Sequence, residues 1–188
     1  MTHHTSEYFR AHQEVVSASI DALATNAEGA GRAMVSALAA GNKVICFGNG
    51  GSSSQASHMA GELTGRFKES RMPLPALSLS ADAGTVTCIS NDFGYDAVFE
   101  RQIEAFAQKG DIALALTTSG KSANVIRALK AAKARDAITI ALTGEAGLIG
   151  ADADYLLAVP SSVTAHIQEV HLMLLHLWCI EVDKAFTA

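Results

Sequence analysis

His58 and Glu62 stand four residues apart in HMAGELTGRF, a stretch with helical patterning. That spacing puts both side chains on one face of a helix, about 6 Å apart along its axis. A histidine and a carboxylate so placed can share a metal ion or exchange a proton. The bland alternative is an ordinary surface pair. A second polar set, Gln168, Glu169, His171 and His176, interrupts a segment rich in Leu, Met and Trp near the end of the chain. Polar groups in such a helix are costly unless paired or functional. His171 reads as the structural member. Gln168 and His176 are eight residues apart, about 12 Å of helix rise, whereas metal ligands sit within about 2.0–2.2 Å of their ion. If both serve the same kind of site, the spacing calls for one of them to come from a neighbouring subunit.

Two loops have the composition of anion cradles. Gly48-Asn49-Gly50-Gly51-Ser52-Ser53-Ser54 follows an apolar run and precedes a helical stretch. Glycines let the backbone approach an anion, Ser52 is placed to cap the helix, and a helix N-terminus offers free N–H groups. No Lys-Ser or Lys-Thr follows at P-loop spacing. Ser53 stands where a dinucleotide fingerprint has its third glycine, so both nucleotide readings are weak. Thr117-Thr118-Ser119-Gly120-Lys121-Ser122 repeats the arrangement with four hydroxyls. A tight turn explains the first loop alone and helix capping the second; together they favour a phosphorylated polyol. Asp92, in Asn91-Asp92-Phe93-Gly94, is placed either to bind sugar hydroxyls or to cap a helix beginning near Tyr95.

These residues need a scaffold, and the hydropathy pattern supplies one. Short apolar runs at 43–47, 75–80, 111–117, 137–142 and 155–160 alternate with helical stretches near 52–67, 95–108, 121–135 and 163–186, and with a short helix near 83–90. Fully apolar strands separated by helices predict a parallel sheet covered on both faces. The expectation is an α/β, doubly wound, five-stranded parallel sheet of flavodoxin-like type, with ligands beyond the carboxyl ends of its strands. Residues 6–40 read as two packing helices without chemistry, ended by Gly41 and Asn42. The whole, 1–188, reads as a single domain, with helices over 1–41 and an α/β core over 42–188.

Composition narrows the function classes. The 188 residues are 49% hydrophobic and 18% charged, with a net charge of -5. Such a chain is not disordered, and its acidic balance argues against a general grip on nucleic acid. Its light charge suggests surface covered by other subunits. No apolar run is long enough to span a bilayer and no secretory signal is present, so neither membrane nor export is expected. Cys46, Cys88 and Cys179 read as buried reduced thiols of a cytoplasmic protein.

The stretches GNGGS (48–52), HMAGELTGRF (58–67), SNDFGY (90–95), TTSGKSANVI (117–126), ALTGEAG (141–147) and IQEVHLMLLH (167–176) resemble, in order and spacing, the SIS (sugar isomerase) family. The resemblance is nearest to its branch acting on seven-carbon sugar phosphates and covers nearly the whole chain. It implies an aldose–ketose isomerase that converts sedoheptulose 7-phosphate to D-glycero-D-manno-heptose 7-phosphate, the first step towards heptose for bacterial lipopolysaccharide. It implies a homotetramer with active sites between subunits, and one divalent metal per subunit, usually zinc, on His58, Glu62, Gln168 and His176. Substrate contacts are implied for Asn49, Gly50, Gly51, Glu62, Asn91, Asp92, Thr117, Thr118, Ser119, Ser122 and Gln168. Glu62 is implied as base and His176 as acid; a metal-bound carboxylate is a poorer base, so those roles of Glu62 pull against each other. Within the same fold the alternatives are a non-enzymatic protein binding the replication initiator, which lacks counterparts of Glu62 and His176, and an isomerase of another sugar phosphate. The sequence departs from the family pattern at Gln55, where an Asp is usual three residues before the metal-binding histidine, and by one inserted residue between Pro75 and Asn91.

Overall fold

The computed structural model describes residues 3–187; residues 1, 2 and 188 of the expected domain lie outside it. Five strands, β1 (Val44–Gly48), β2 (Ala76–Ser78), β3 (Ile112–Thr117), β4 (Ile138–Thr143) and β5 (Tyr155–Ala158), form one sheet in the order β2-β1-β3-β4-β5. Every neighbouring pair is parallel. This is the doubly wound order, whose direction reverses between β1 and β3, and the crevice above that point is where such folds take ligands.

Side chains alternate across the sheet, as the strand period of two requires. Val44, Cys46, Leu114, Leu116 and Leu142 enter one buried cluster. Ile45, Phe47, Ala113, Ala115 and Ala141 enter the other. The first cluster is closed by α1 (His3–Ala39), α2 (Gly51–Thr64) and α6 (Thr164–Phe186), the second by α3 (Ala83–Phe93), α4 (Val98–Phe106) and α5 (Ala123–Ala134).

Three expectations need correction. The N-terminal region is one continuous helix of 37 residues, not two. Glycine weakens a helix by only about 1 kcal/mol, and here it permits close packing. A Cβ at Gly29 would stand 2.7 Å from the Tyr155 ring, and one at Gly31 would stand 1.8 Å from Glu181 Oε2. The Trp178 indole N–H donating to Ala27 O at 2.9 Å ties α1 to α6 at the same level. Cys88 is exposed, because α3 buries only Ile89. Cys46 and Cys179 are buried as expected; burial pushes both thiols up, Cys179 to about 12, which leaves them unreactive. The third correction concerns Ser52. It is buried in the first turn of α2, and Gly50, at φ 57°, occupies the cap position without a side-chain bond. A left-handed residue there suits glycine. No helix among the described residues is long and apolar enough to cross a membrane.

Candidate active site

Both Ser/Gly loops lie at the carboxyl edge of the sheet, one leaving β1 and one leaving β3. Their backbones pass close to neighbouring groups, and at Gly48 and Gly120 the neighbour is backbone that leaves no room for a side chain. A Cβ on Gly48 would meet Leu116 O at 2.7 Å, and one on Gly51 would meet Gln168 Nε2 at 2.7 Å. Gly120, at φ 65°, comes so near the next loop that a Cβ would stand 1.7 Å from Gly147 O. Between the loops is a cavity of about 260 Å³, lined by Asn49, Gly51, Thr117, Thr118, Ser119, Ser122 and Gln168 among others.

The hydroxyls of the second loop are not consumed by capping. Ser122 occupies the N-cap position of α5 but makes no side-chain cap bond. Its Oγ lies 3.4 Å from Thr117 Oγ1, and Lys121 N reaches Ser119 Oγ only at 3.5 Å. Such long contacts leave the donors free for a ligand. The first loop is tied to the second by Asn124, a residue the sequence reading missed. Asn49 and Asn124 exchange amide hydrogen bonds of 2.9 Å in both directions, and Tyr95 Oη donates to Asn49 Oδ1 at 2.9 Å. A buried amide in the first turn of α5 was the available signal: at 3% exposed it needs a partner.

Helix α2, which leaves the first loop, packs against α6, whose first turns border the cavity, and three contacts mark their course. Near the cradle, Gln55 Nε2 donates to Gln168 O at 2.7 Å. About one turn on along α2 and just over two along α6, His58 Nε2 faces His176 Nε2 at 3.0 Å, with Glu62 Oε1 at 3.5 Å from His58 Nε2. Beyond the end of α2, Arg71 Nε donates to Asp183 Oδ1 at 2.9 Å. Ligands of one tetrahedral ion at about 2.0–2.1 Å stand roughly 3.3 Å from each other, so His58 stands at ligand spacing from both His176 and Glu62, although the three do not close into a cluster within 4.8 Å of one another. Within one chain His58 thus approaches both His176 and Glu62, while Gln168 lines the cradle, about 12 Å of rise before His176.

The site has supports that sequence reasoning did not find. Arg71, with its side chain fully buried, donates from Nη2 to Glu62 O at 2.7 Å and from Nη1 to Leu63 O at 2.9 Å. It thereby satisfies the last carbonyls of α2 where Glu62 sits. Burial opposes ionisation of its partner Asp183, but the N–H groups of Glu69 and Lys68 and the Arg71 guanidinium together hold that carboxyl below its ordinary value. The signal was an Arg and an Asp in greasy surroundings, which at 112 residues' separation carries no pattern. Gln55 uses its amide to donate where a carboxylate has no proton to give. His171 is fully buried beside Thr143 O at 3.1 Å, and burial pushes it down to about 4. It is neutral and structural, as read from the sequence. Asn91 and Asp92 are exposed at the end of α3, paired by Asn91 Nδ2 donating to Asp92 Oδ1 at 2.8 Å. Asp92 caps nothing: the turn beginning at Tyr95 has Gly94 before it and no side-chain cap.

Comparison with known proteins decides the family. The SIS domain model matches residues 7–144. The phosphoheptose isomerase of Shewanella loihica is 47% identical over 169 residues, covering 87% of this chain and 85% of the relative. The chain belongs to the phosphoheptose isomerase family. Solved phosphoheptose isomerases agree in three dimensions. The one from Neisseria gonorrhoeae is 38% identical with a TM-score of 0.88, covering 96% of this chain and 97% of that one. The one from Francisella tularensis is 34% identical with a TM-score of 0.90, covering 96% of each.

Proposed function

We propose that the chain is a sugar-phosphate isomerase that converts the ketose sedoheptulose 7-phosphate to the aldose D-glycero-D-manno-heptose 7-phosphate, the opening step of heptose supply for bacterial surface glycans such as lipopolysaccharide. The observation that carries this reading is the approach of His58 to both His176 and Glu62, on two helices whose first turns border the hydroxyl-lined cavity.

In this reading the phosphate takes the hydroxyls of Thr117, Thr118, Ser119 and Ser122 and the N–H groups at the start of α5. Asn49, Gly50, Gly51, Asn91, Asp92 and Gln168 contact the sugar. Glu62 removes a proton from C1 while O2 gains one, giving an enediol. Its return to C2, with loss of the proton on O1, leaves the aldehyde at C1. His176 is the acid that serves the oxygens. His58, Glu62 and His176 would hold one divalent ion, zinc being suited to nitrogen and carboxylate ligands. The chemistry such an ion supplies when bound is polarisation of the C1 and C2 oxygens.

The proposed assembly is a homotetramer with sites between subunits, Gln168 of a second copy completing the ligand set. Support comes from an apolar groove between α1 and α6 that reaches His176. Ile20, Met173 and Leu177 there are 63%, 49% and 39% exposed, the kind of surface that another subunit covers. A phosphorylated substrate does not cross membranes unaided, which makes this a cytoplasmic enzyme. Incubation with sedoheptulose 7-phosphate, with and without a chelator, tests the reading. The aldose should appear, and metal removal should slow it. No aldose at high enzyme concentration would overturn the assignment.

A further inference from the structure

A second cluster of ligand-bearing side chains lies where the first turns of α1 meet the start of α6. His12, His166 and Glu169 each bring one such atom to within 4.8 Å of the others. Both imidazole Nδ1 atoms approach the same carboxylate oxygen, Glu169 Oε2, at 3.0 Å from His12 and 3.2 Å from His166. The two rings are stacked with centroids 5.4 Å apart. The Tyr8 hydroxyl donates to the other oxygen, Glu169 Oε1, at 2.5 Å.

A hydrogen-bonded clasp does not fully account for this arrangement. His12 Nδ1 is buried and lies 3.0 Å from the carboxylate, yet it has no hydrogen bond among the described residues. Its in-plane direction misses the oxygen. A buried nitrogen left so costs about 1–3 kcal/mol. A cation among the three atoms removes that cost, and separations of 3.0 and 3.2 Å are close to the roughly 3.3 Å expected between ligands of a tetrahedral ion. Tyr8 then serves as the outer partner that orients a ligating carboxylate.

We infer that His12, His166 and Glu169 form a second divalent-cation site that pins α1 to α6. Two imidazoles and one carboxylate favour zinc, cobalt or nickel over calcium or magnesium. The site is distinct from the pair at His58 and His176. His166 precedes His176 by ten residues on α6, about 15 Å of rise, and lies slightly more than half a turn from Gln168, so the two faces are roughly opposite.

The test uses the full chain stripped of metal and titrated with Zn2+ alone against a chromophoric chelator. The unsubstituted protein should take up two ions per chain. The double variant His58→Ala/His176→Ala should keep one, and adding His12→Gln should weaken that remaining binding at least tenfold. Zn2+ should also raise the Tm of the double variant, and His12→Gln should abolish the rise. His12 is on the partly exposed side of the cluster, so its replacement spares the core; circular dichroism checks the fold. A double variant that takes up no zinc, or zinc uptake indifferent to His12→Gln, would overturn the site. Neither result bears on isomerase activity, so the two readings fail separately.

Discussion

Burial of His171 makes the fold acid-sensitive in a calculable way. The imidazole is fully buried against Thr143 O and is pushed by burial from 6.5 to about 4. Between those values the unfolded chain holds a proton that the native chain does not. Stability contributed by the neutral ring is therefore complete above about pH 6.5 and lost as pH falls towards 4. Each unit in that window costs up to about 1.4 kcal/mol. From pH 7 to pH 4.5 the loss is roughly 2–3 kcal/mol, a large part of the roughly 5–15 kcal/mol that holds a typical domain. The perturbation is His171→Gln, which cannot take up a proton. The assay is urea unfolding of both proteins at pH 7 and pH 4.5, at one chain concentration because assembly shifts apparent stability. Any pH-independent cost of the substitution subtracts out. The variant should lose roughly 2–3 kcal/mol less than the unsubstituted protein over this interval. Equal losses would refute the argument that His171 is the acid-labile group.

Other perturbations probe the cradle and its supports. Ser119→Ala or Ser122→Ala should raise KM about tenfold or more with kcat little changed, since a hydrogen bond to a charged group is worth about 1.5–3 kcal/mol; steady-state kinetics at varied substrate reads this. Gly120→Ala meets both a positive φ and Gly147 O, so thermal melting should show destabilisation above about 1 kcal/mol along with weakened phosphate binding. Asp183→Asn should cost about 3–5 kcal/mol in chemical unfolding, because it strands the buried Arg71 charge.

Much of the scaffold was legible because buried parallel strands are written as short apolar runs. The runs at 43–47, 111–117 and 137–142 matched β1, β3 and β4 closely. Local pairs such as His58 and Glu62 were legible too, since a helix fixes the distance between residues four apart. Long-range groups were not. Arg71, Asp183 and Asn124 act through partners far away in the chain, and no periodicity announces such a pair. The single long α1 is not legible as one helix because the use of its glycines is tertiary: they let α1 lie close to Tyr155 and Trp178. Cys88 was misjudged because apolar sequence neighbours do not bury a residue on the outer face of α3.

In the proposed reaction the chain moves a proton between C1 and C2 of a seven-carbon sugar phosphate, with Glu62 as the base. The most direct measurement is kcat of Glu62→Gln with sedoheptulose 7-phosphate, beside circular dichroism and sedimentation of the same sample. The variant should be folded and normally assembled, and its turnover should fall at least a hundredfold, the scale of a lost general base. A folded Glu62→Gln that turns over like the unsubstituted enzyme would contradict that role.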